Sequence, residues 1–194
     1  MLIEETPLDP AALPVQAFRA HLRLGTGFSQ DDLQGPVLEA VLRAALAAIE
    51  ARTAKILLVR DFALSLPAWS EPSGQPLPLA PVAAVREIAL RDAAGEERSA
   101  EADTWWLEGD THRPVLRPAG GALPAIPARG AAVIRFAAGF GAAWADVPAD
   151  LRQAAMLLAA HFYEYRDAAS AGAEAVPPAR SEERRVGKEC FLLC

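Results

Sequence analysis

The sequence predicts an α+β fold in which a small bundle of helices carries an inserted antiparallel β-region. Apolar residues recur at helical spacing near both ends of the chain, whereas the middle alternates apolar and polar residues between prolines and glycines. The chain has 194 residues, of which 52% are hydrophobic, so it can bury a core of its own. We therefore expect one domain over residues 1–168 and a disordered or non-native tail over residues 169–194.

Two helices are predicted near the N-terminus. Asp9 followed by Pro10 is typical of a helix start, and helical spacing continues over residues 10–24. After a glycine-containing break, a second helix is expected over residues 31–52. The residues expected to face the core are Leu13, Ala17, Phe18, His21 and Leu22 in the first helix, and Leu38, Val41, Leu42, Ala45, Leu46 and Ile49 in the second.

The middle of the chain, residues 54–141, is predicted to form a small set of antiparallel strands. Prolines and glycine between residues 67 and 81 exclude a helix there. Turn sequences such as AAGEE separate segments that are apolar or alternating. These segments are ILLVRDFAL, VREIALRD, TWWLEGDTHRPVLRP and AAVIRFAAGFG.

A third helix is predicted over residues 148–168. Pro148 is suited to its first turn, and Asp146 and Asp150 lie favourably near its positive end. Because helices of this length are marginal alone, we expect all three to pack on one another across the β-region. The expected apolar face consists of Leu151, Ala154, Ala155, Leu158, Phe162 and Tyr165.

Charge and cysteine content exclude several kinds of protein. The formal net charge is −6, and residues 1–179 contain no basic cluster, so tight binding of nucleic acid is not expected. No apolar run is long enough to span a membrane and no secretory signal opens the chain, so we expect a cytoplasmic protein. Both cysteines lie in the last five residues, within SEERRVGKECFLLC, which resembles a translated cloning sequence; an ordinary disordered tail is the alternative.

The most reactive-looking pair is His161 and Glu164, three residues apart on the third helix. Two ligands are too few, because a catalytic zinc needs three protein ligands and a structural zinc needs four. The favoured interpretation of this pair is therefore a helix that packs against its neighbours, and a metal-dependent hydrolase is only the third functional hypothesis.

Gly139 and Gly141 form a G-x-G sequence, but the alternating strand–helix units of a dinucleotide fold are missing, so a turn is favoured. No catalytic residue, metal site or cofactor is predicted.

Two neighbouring tryptophans, Trp105 and Trp106, lie on one predicted strand. Adjacent strand residues point to opposite faces, so one should join the core and the other should be exposed. An exposed tryptophan is typical of a binding surface, although an edge position explains it equally well. A ligand- or peptide-binding module that uses the β-region and this tryptophan is the second hypothesis.

Two segments resemble the head–tail connector proteins of phages and gene transfer agents. VQAFRAHLRL, an acidic loop with Asp31-Asp32 and VLEAVLRAALAAIEART are similar to the N-terminal half of these connectors. VIRFAAGFG followed by DVPADLRQAAMLLAAHFYEYRD is similar to their glycine segment and final helix. The resemblance covers about residues 10–168 and is nearest to the larger connectors that carry a β-insert.

The resemblance implies a structural role rather than an enzymatic one. Such connectors assemble in the cytoplasm into a ring, commonly of twelve copies, beneath the portal protein in the particle neck. The ring joins the portal to a stopper or tail-terminator protein and lets DNA pass without specific binding. Family members continue past the final helix into a portal-docking segment, where this chain has its unusual tail. The candidate assembly residues are Tyr163, Glu164, Arg166, Trp105 and Trp106.

Overall fold

The computed structural model describes residues 1–24 and 31–165, with the backbone alone for residues 31–33. The predicted α+β class is confirmed. The three α-helices are α1 (Val15–His21), α2 (Asp31–Thr53) and α3 (Ala149–Glu164). The strands are β1 (Leu2–Glu4), β2 (Arg60–Leu66), β3 (Gln75–Pro76), β4 (Val82–Arg91), β5 (Glu97–Ser99), β6 (Trp105–Glu108), β7 (Val115–Pro118) and β8 (Ala131–Ala138).

The strands form two antiparallel sheets. One has five strands in the order β1-β2-β8-β4-β5, and the other has three in the order β3-β7-β6. β8 is apolar except at Arg135, and its alternate residues Ile134, Phe136 and Ala138 lie on the face that packs into one hydrophobic cluster. Phe136 lies opposite Phe62 of β2, and their rings stack with centroids 5.9 Å apart. These side chains and those of the smaller sheet form a sheet core.

The helices form a second hydrophobic cluster, the helical core. Leu38, Leu42 and Phe18 are fully buried there together with Ala155 and Ala159 of α3. The expected packing of the three helices on one another is therefore confirmed. The segment after α2 connects the two clusters, because Ile56 belongs to the sheet core whereas Leu57 and Leu58 belong to the helical core. No helix in the described ranges is long and apolar enough to cross a membrane.

The prediction of one continuous helix over residues 10–24 is wrong. Residues 10–12 form a single 3-10 turn, in which the Asp9 carboxylate accepts a hydrogen bond from the Ala11 N–H at 2.9 Å. Leu13 is extended, as expected for a residue before proline, and α1 starts only after Pro14. Ala17 and His21 are exposed rather than core-facing, since this short helix turns only Phe18 fully inward. The predicted glycine break at residues 25–27 lies outside the described residues.

The third helix is also shorter and rotated relative to the prediction. It ends at Glu164, and residues 166–168 of the predicted helix lie outside the described part of the chain. Ala154 and Tyr165 are exposed, because the core side of α3 is centred on Ala155 and Ala159. β1 was not predicted; it pairs with β2 and extends the sheet outside the predicted range of residues 54–141.

Candidate assembly surfaces

Two glycines join the last strand to the helical part of the molecule. Gly139 has a φ of +138°, and a Cβ atom added there would lie 2.6 Å from the Val59 backbone. The backbone N–H of Val59 donates a hydrogen bond to the Gly141 carbonyl at 2.9 Å. A Cβ atom on Gly141 would collide with the Asp146 side chain. These glycines permit a tight turn and close backbone approach, which confirms the interpretation of the G-x-G sequence as a turn.

An ion-paired arginine lies at the same junction. Arg60 of β2 contacts the Glu50 carboxylate of α2 and, at 3.1 Å, that of Glu4 in β1. Glu50 also accepts a hydrogen bond from the Leu57 backbone N–H at 3.0 Å. The Arg60 and Glu50 side chains are 10% and 12% exposed, so water screens this pair little. The arrangement ties α2 to the five-stranded sheet.

The outer face of the five-stranded sheet carries a charged network centred on Arg135 of β8. Its guanidinium lies 2.9 Å from the Glu97 carboxylate, 3.2 Å from that of Glu87 and 3.5 Å from that of Glu5. Arg91 lies 2.7 Å from Glu97 on its other side. These groups meet because β8 lies between β2 and β4 and places Arg135 directly opposite Glu87.

Charge pairing in the network changes two pKa values. Hydrogen bonds from Arg135, and then from Arg91, lower the pKa of the Glu97 carboxyl below its ordinary value near 4.5. The hydrogen bond to Glu97 in turn raises the pKa of Arg135. Glu97 therefore contributes stability that is complete above about pH 4.5 and is lost as the pH falls through its lowered pKa.

We expect Arg135→Ala to lower the free energy of unfolding by about 1 kcal/mol near neutral pH, because the pairs are partly solvent-screened. The variant should also lose less further stability than the wild type between about pH 5 and about pH 3, since Glu97 no longer has its strongest partner. Urea unfolding at a series of pH values measures both effects. Arg98→Ala is the control, because Arg98 forms no ion pair within the described residues. Equal behaviour of the two variants would contradict the role of Arg135.

A groove of about 560 Å³ lies beside the network, and Trp105 forms part of its wall. Its charged walls are already paired: Arg86 contacts Asp61 at 2.7 Å, and Arg135 contacts Glu5 and Glu87. A ligand that binds there must compete with these ion pairs. Within the described ranges, no group of three or more His, Cys, Asp or Glu side chains is arranged to hold a metal ion.

Of the two tryptophans, one packs against the core and the other is exposed, as the sequence predicts. Trp105 is partly buried against the sheet core, whereas Trp106 is 50% exposed on the outer side of the three-stranded sheet. Trp106 lies opposite Arg117 of β7, whose guanidinium pairs with Glu108 at 2.6 Å. The exposed tryptophan thus lies beside an ion pair. Trp105 Nε1 is buried and has no hydrogen-bond partner among the described residues.

The candidate residues at the end of α3 have different surroundings. Tyr163 packs against the helical core, whereas Glu164 is exposed. The His161 ring lies 4.6 Å from the Tyr165 ring and 6.2 Å from the Phe162 ring, which indicates an aromatic contact within the helix. Arg166 lies outside the described residues. Tyr163 and Trp105 belong to separate hydrophobic clusters, so the predicted assembly residues do not form one site.

Two apolar surfaces were missing from the predicted sites. Every exposed residue of α2 between positions 36 and 51 is apolar. Leu157 of α3 and Tyr165, which directly follows that helix, are 55% and 53% exposed. Exposed apolar surface of this kind is typical of protein interfaces. The sequence alone did not reveal the α2 surface, because the positions opposite its core stripe are mostly alanine, which is common both in cores and on surfaces.

Comparison with solved structures gives strong matches over nearly the whole chain. A chain from the neck of an empty gene transfer agent (GTA) particle, computed with C6 symmetry, is 49% identical, with a TM-score of 0.83; the match covers 92% of this chain and 89% of that chain. A chain from the virion of a native GTA particle is 50% identical over 91% of this chain and 89% of that one, with a TM-score of 0.80. No protein-family model and no curated protein matches the chain.

A third match comes from the neck of a native GTA particle computed with C12 symmetry. It is 46% identical, with a TM-score of 0.77, and covers 91% of this chain and 88% of that chain. The first two matches thus combine an identity near one half with coverage of about nine tenths of the chain. The chain belongs to the head–tail connector family of phages and gene transfer agents, in the larger form that carries a β-insert.

Proposed function

We propose that this chain is a structural connector in the neck of a gene transfer agent particle, where it joins the capsid to the tail. The observation that carries the proposal is the 49% identity, over 92% of this chain, to a chain from such a neck. The solved necks have C6 and C12 symmetry, which supports assembly of this chain with itself into a ring of twelve copies. The work is mechanical rather than enzymatic.

In this proposal the ring lies beneath the portal protein and contacts a stopper or tail-terminator protein on its other side. The family resemblance supports both partners. DNA passes through the ring without specific binding, since a formal net charge of −6 disfavours tight contact with phosphates. Assembly takes place in the cytoplasm before the neck is completed.

The candidate residues then have distinct roles. Tyr163 positions α3 within its own bundle, since it packs against the helical core. Glu164 and Trp106 are exposed and contact neighbouring proteins in the particle. Trp105 supports the strand that presents Trp106. Arg166 lies outside the described residues and stays a candidate assembly residue.

Co-expression with the portal protein of the same particle tests this function. Electron microscopy of the purified complex should show a second ring of twelve subunits stacked on the portal. The full chain expressed without the portal is the control, because connectors of this family assemble only on their partner in many cases. A chain that stays monomeric and never binds the portal would contradict the proposal.

A further inference from the structure

The outward surface of α2 lacks polar side chains over four turns. Its charged residues in this stretch, Glu39, Arg43 and Glu50, are half-buried at one side of the helix. A surface helix normally carries polar residues on its solvent side, so this surface is unusual. It extends for about 21 Å at the rise of an α-helix. The α2 face, as we call it, consists of Val37, Ala40, Ala44, Ala47, Ala48 and Ala51.

A second apolar surface lies on α3 and has a different shape. Leu157 and Tyr165 project from it, with Ala154 exposed between the helix start and Leu157. The His161 ring lies against that of Tyr165. This α3 face, defined by Ala154, Leu157, His161 and Tyr165, extends for about 17 Å. Large side chains on one surface and small ones on the other are complementary, because alanines allow a neighbouring helix to approach closely.

Both faces point away from the helical core. Ala44 lies two residues from Leu42 and from Leu46, which are buried, and two residues correspond to about 200° around a helix. Leu157 lies two residues from Ala155 and Ala159, which are fully buried. Because α2 and α3 pack on each other through their core sides, the two faces lie on opposite sides of the bundle.

Charges at the borders of the faces are complementary as well. Arg52 is exposed at the end of the α2 face, and Asp150 and Glu164 are exposed beside the α3 face. None of the three forms an ion pair within the described residues. A ring built by rotation uses two different surfaces of each subunit, and opposite sides of one bundle meet this requirement.

We propose that the α2 face of one copy packs against the α3 face of the next copy around the connector ring. This inference rests on the proposed function and assigns its subunit interface. Leu157 and Tyr165 of one subunit lie on the alanines of the next, and Arg52 faces Asp150 or Glu164. The contact is head-to-tail, so it repeats until the ring closes.

Disulfide cross-linking tests the contact directly. Ala44→Cys and Leu157→Cys are made separately in the full chain in which Cys190 and Cys194 are replaced by serine. Both changes are at exposed positions, so the fold should persist, and circular dichroism checks this. On oxidation in the presence of the portal protein, a mixture of the two variants should give a cross-linked dimer, whereas either variant alone should not. Ala93→Cys, in the exposed turn between β4 and β5, replaces Ala44→Cys as the matched control.

Parallel imaging of the wild-type chain on its portal separates this inference from the proposed function. Rings without a cross-link above the Ala93→Cys control overturn the interface and leave the connector function intact. A cross-link without rings overturns the function and supports the contact between copies. If neither rings nor the cross-link are observed, both the interface and the connector function are overturned.

Charged substitutions provide a second measurement. Ala44→Glu blocks only the α2 face and Leu157→Glu only the α3 face, so neither variant should form rings alone. Mixed in the presence of the portal protein, they should pair no further than a one-to-one dimer, because each copy keeps one usable face; native mass spectrometry of the portal complex measures this. Normal rings from either folded variant would overturn the proposal, and Ala93→Glu should assemble like the wild type.

Discussion

Replacing Gly139 by alanine should destabilise the protein by roughly 3–5 kcal/mol, because the change combines backbone strain with overpacking. Gly139 has a φ of +138°, where a residue with a side chain is strained. The added Cβ atom would lie 2.6 Å from the Val59 Cα and N atoms, and 2.8 Å from the Leu58 carbonyl carbon. These are backbone atoms between the sheet core and the helical core, so they cannot move aside as the end of a side chain can.

Urea unfolding of the variant, followed by tryptophan fluorescence, measures the loss. Gly121→Ala is a matched control, because a Cβ atom there would meet nothing within 4 Å. The control should change the free energy of unfolding by less than about 0.5 kcal/mol. If both variants unfold at the same urea concentration as the wild type, the close approach at Gly139 is not a constraint on the fold.

Local sequence patterns predicted the elements whose partners are near in sequence and those long enough to show several repeats of their period. The α2 stripe from Leu38 to Ile49 contains four buried residues and two that pack beside them, since 23 residues give several repeats of the helical period. The opposite orientations of Trp105 and Trp106 follow from the two-residue period of a strand. In both cases the geometry of a single element was sufficient.

Features that depend on distant parts of the chain were not predictable in this way. β1 has three residues, too few for a pattern, and it exists because β2 supplies its hydrogen-bonding partner. The contacts of Arg135 with Glu87 and Glu97 depend on the register of β4, β5 and β8. The break in the first helix does have a local signal. Leu13 precedes Pro14, and a residue before proline is biased away from the helical conformation, although the apolar residues around it recur at helical spacing.

The exposed faces of α2 and α3 were only partly predictable from the sequence. Alanine is the best helix former and is common both in cores and on surfaces, so its presence alone does not reveal exposure. The structure shows that Ala44 is exposed whereas Ala45 is fully buried. The exposed apolar side of α2 becomes a candidate interface only once the structure shows which side of the helix faces the core.

Arg60→Met should lower the free energy of unfolding by about 3 kcal/mol, because it leaves the Glu50 carboxylate poorly solvated and without its cationic partner. Glu50 is 12% exposed, and the guanidinium of Arg60 is its only ion-pair partner among the described residues. The substituted side chain is apolar and of similar length, so lost packing contributes little. Chemical denaturation measures the change.

The comparison with Arg86→Met isolates the effect of burial. Arg86 and Asp61 form an ion pair at 2.7 Å, but their side chains are 58% and 30% exposed, so this loss should stay below about 1 kcal/mol. Adding Glu50→Gln to Arg60→Met should recover part of the stability, because a neutral amide oxygen still accepts the hydrogen bond from the Leu57 N–H. Equal losses for Arg60→Met and Arg86→Met would mean that the junction pair is no stronger than a surface pair. A larger loss at Arg60 means that the buried pair between α2 and the sheet contributes more to stability than a surface pair does.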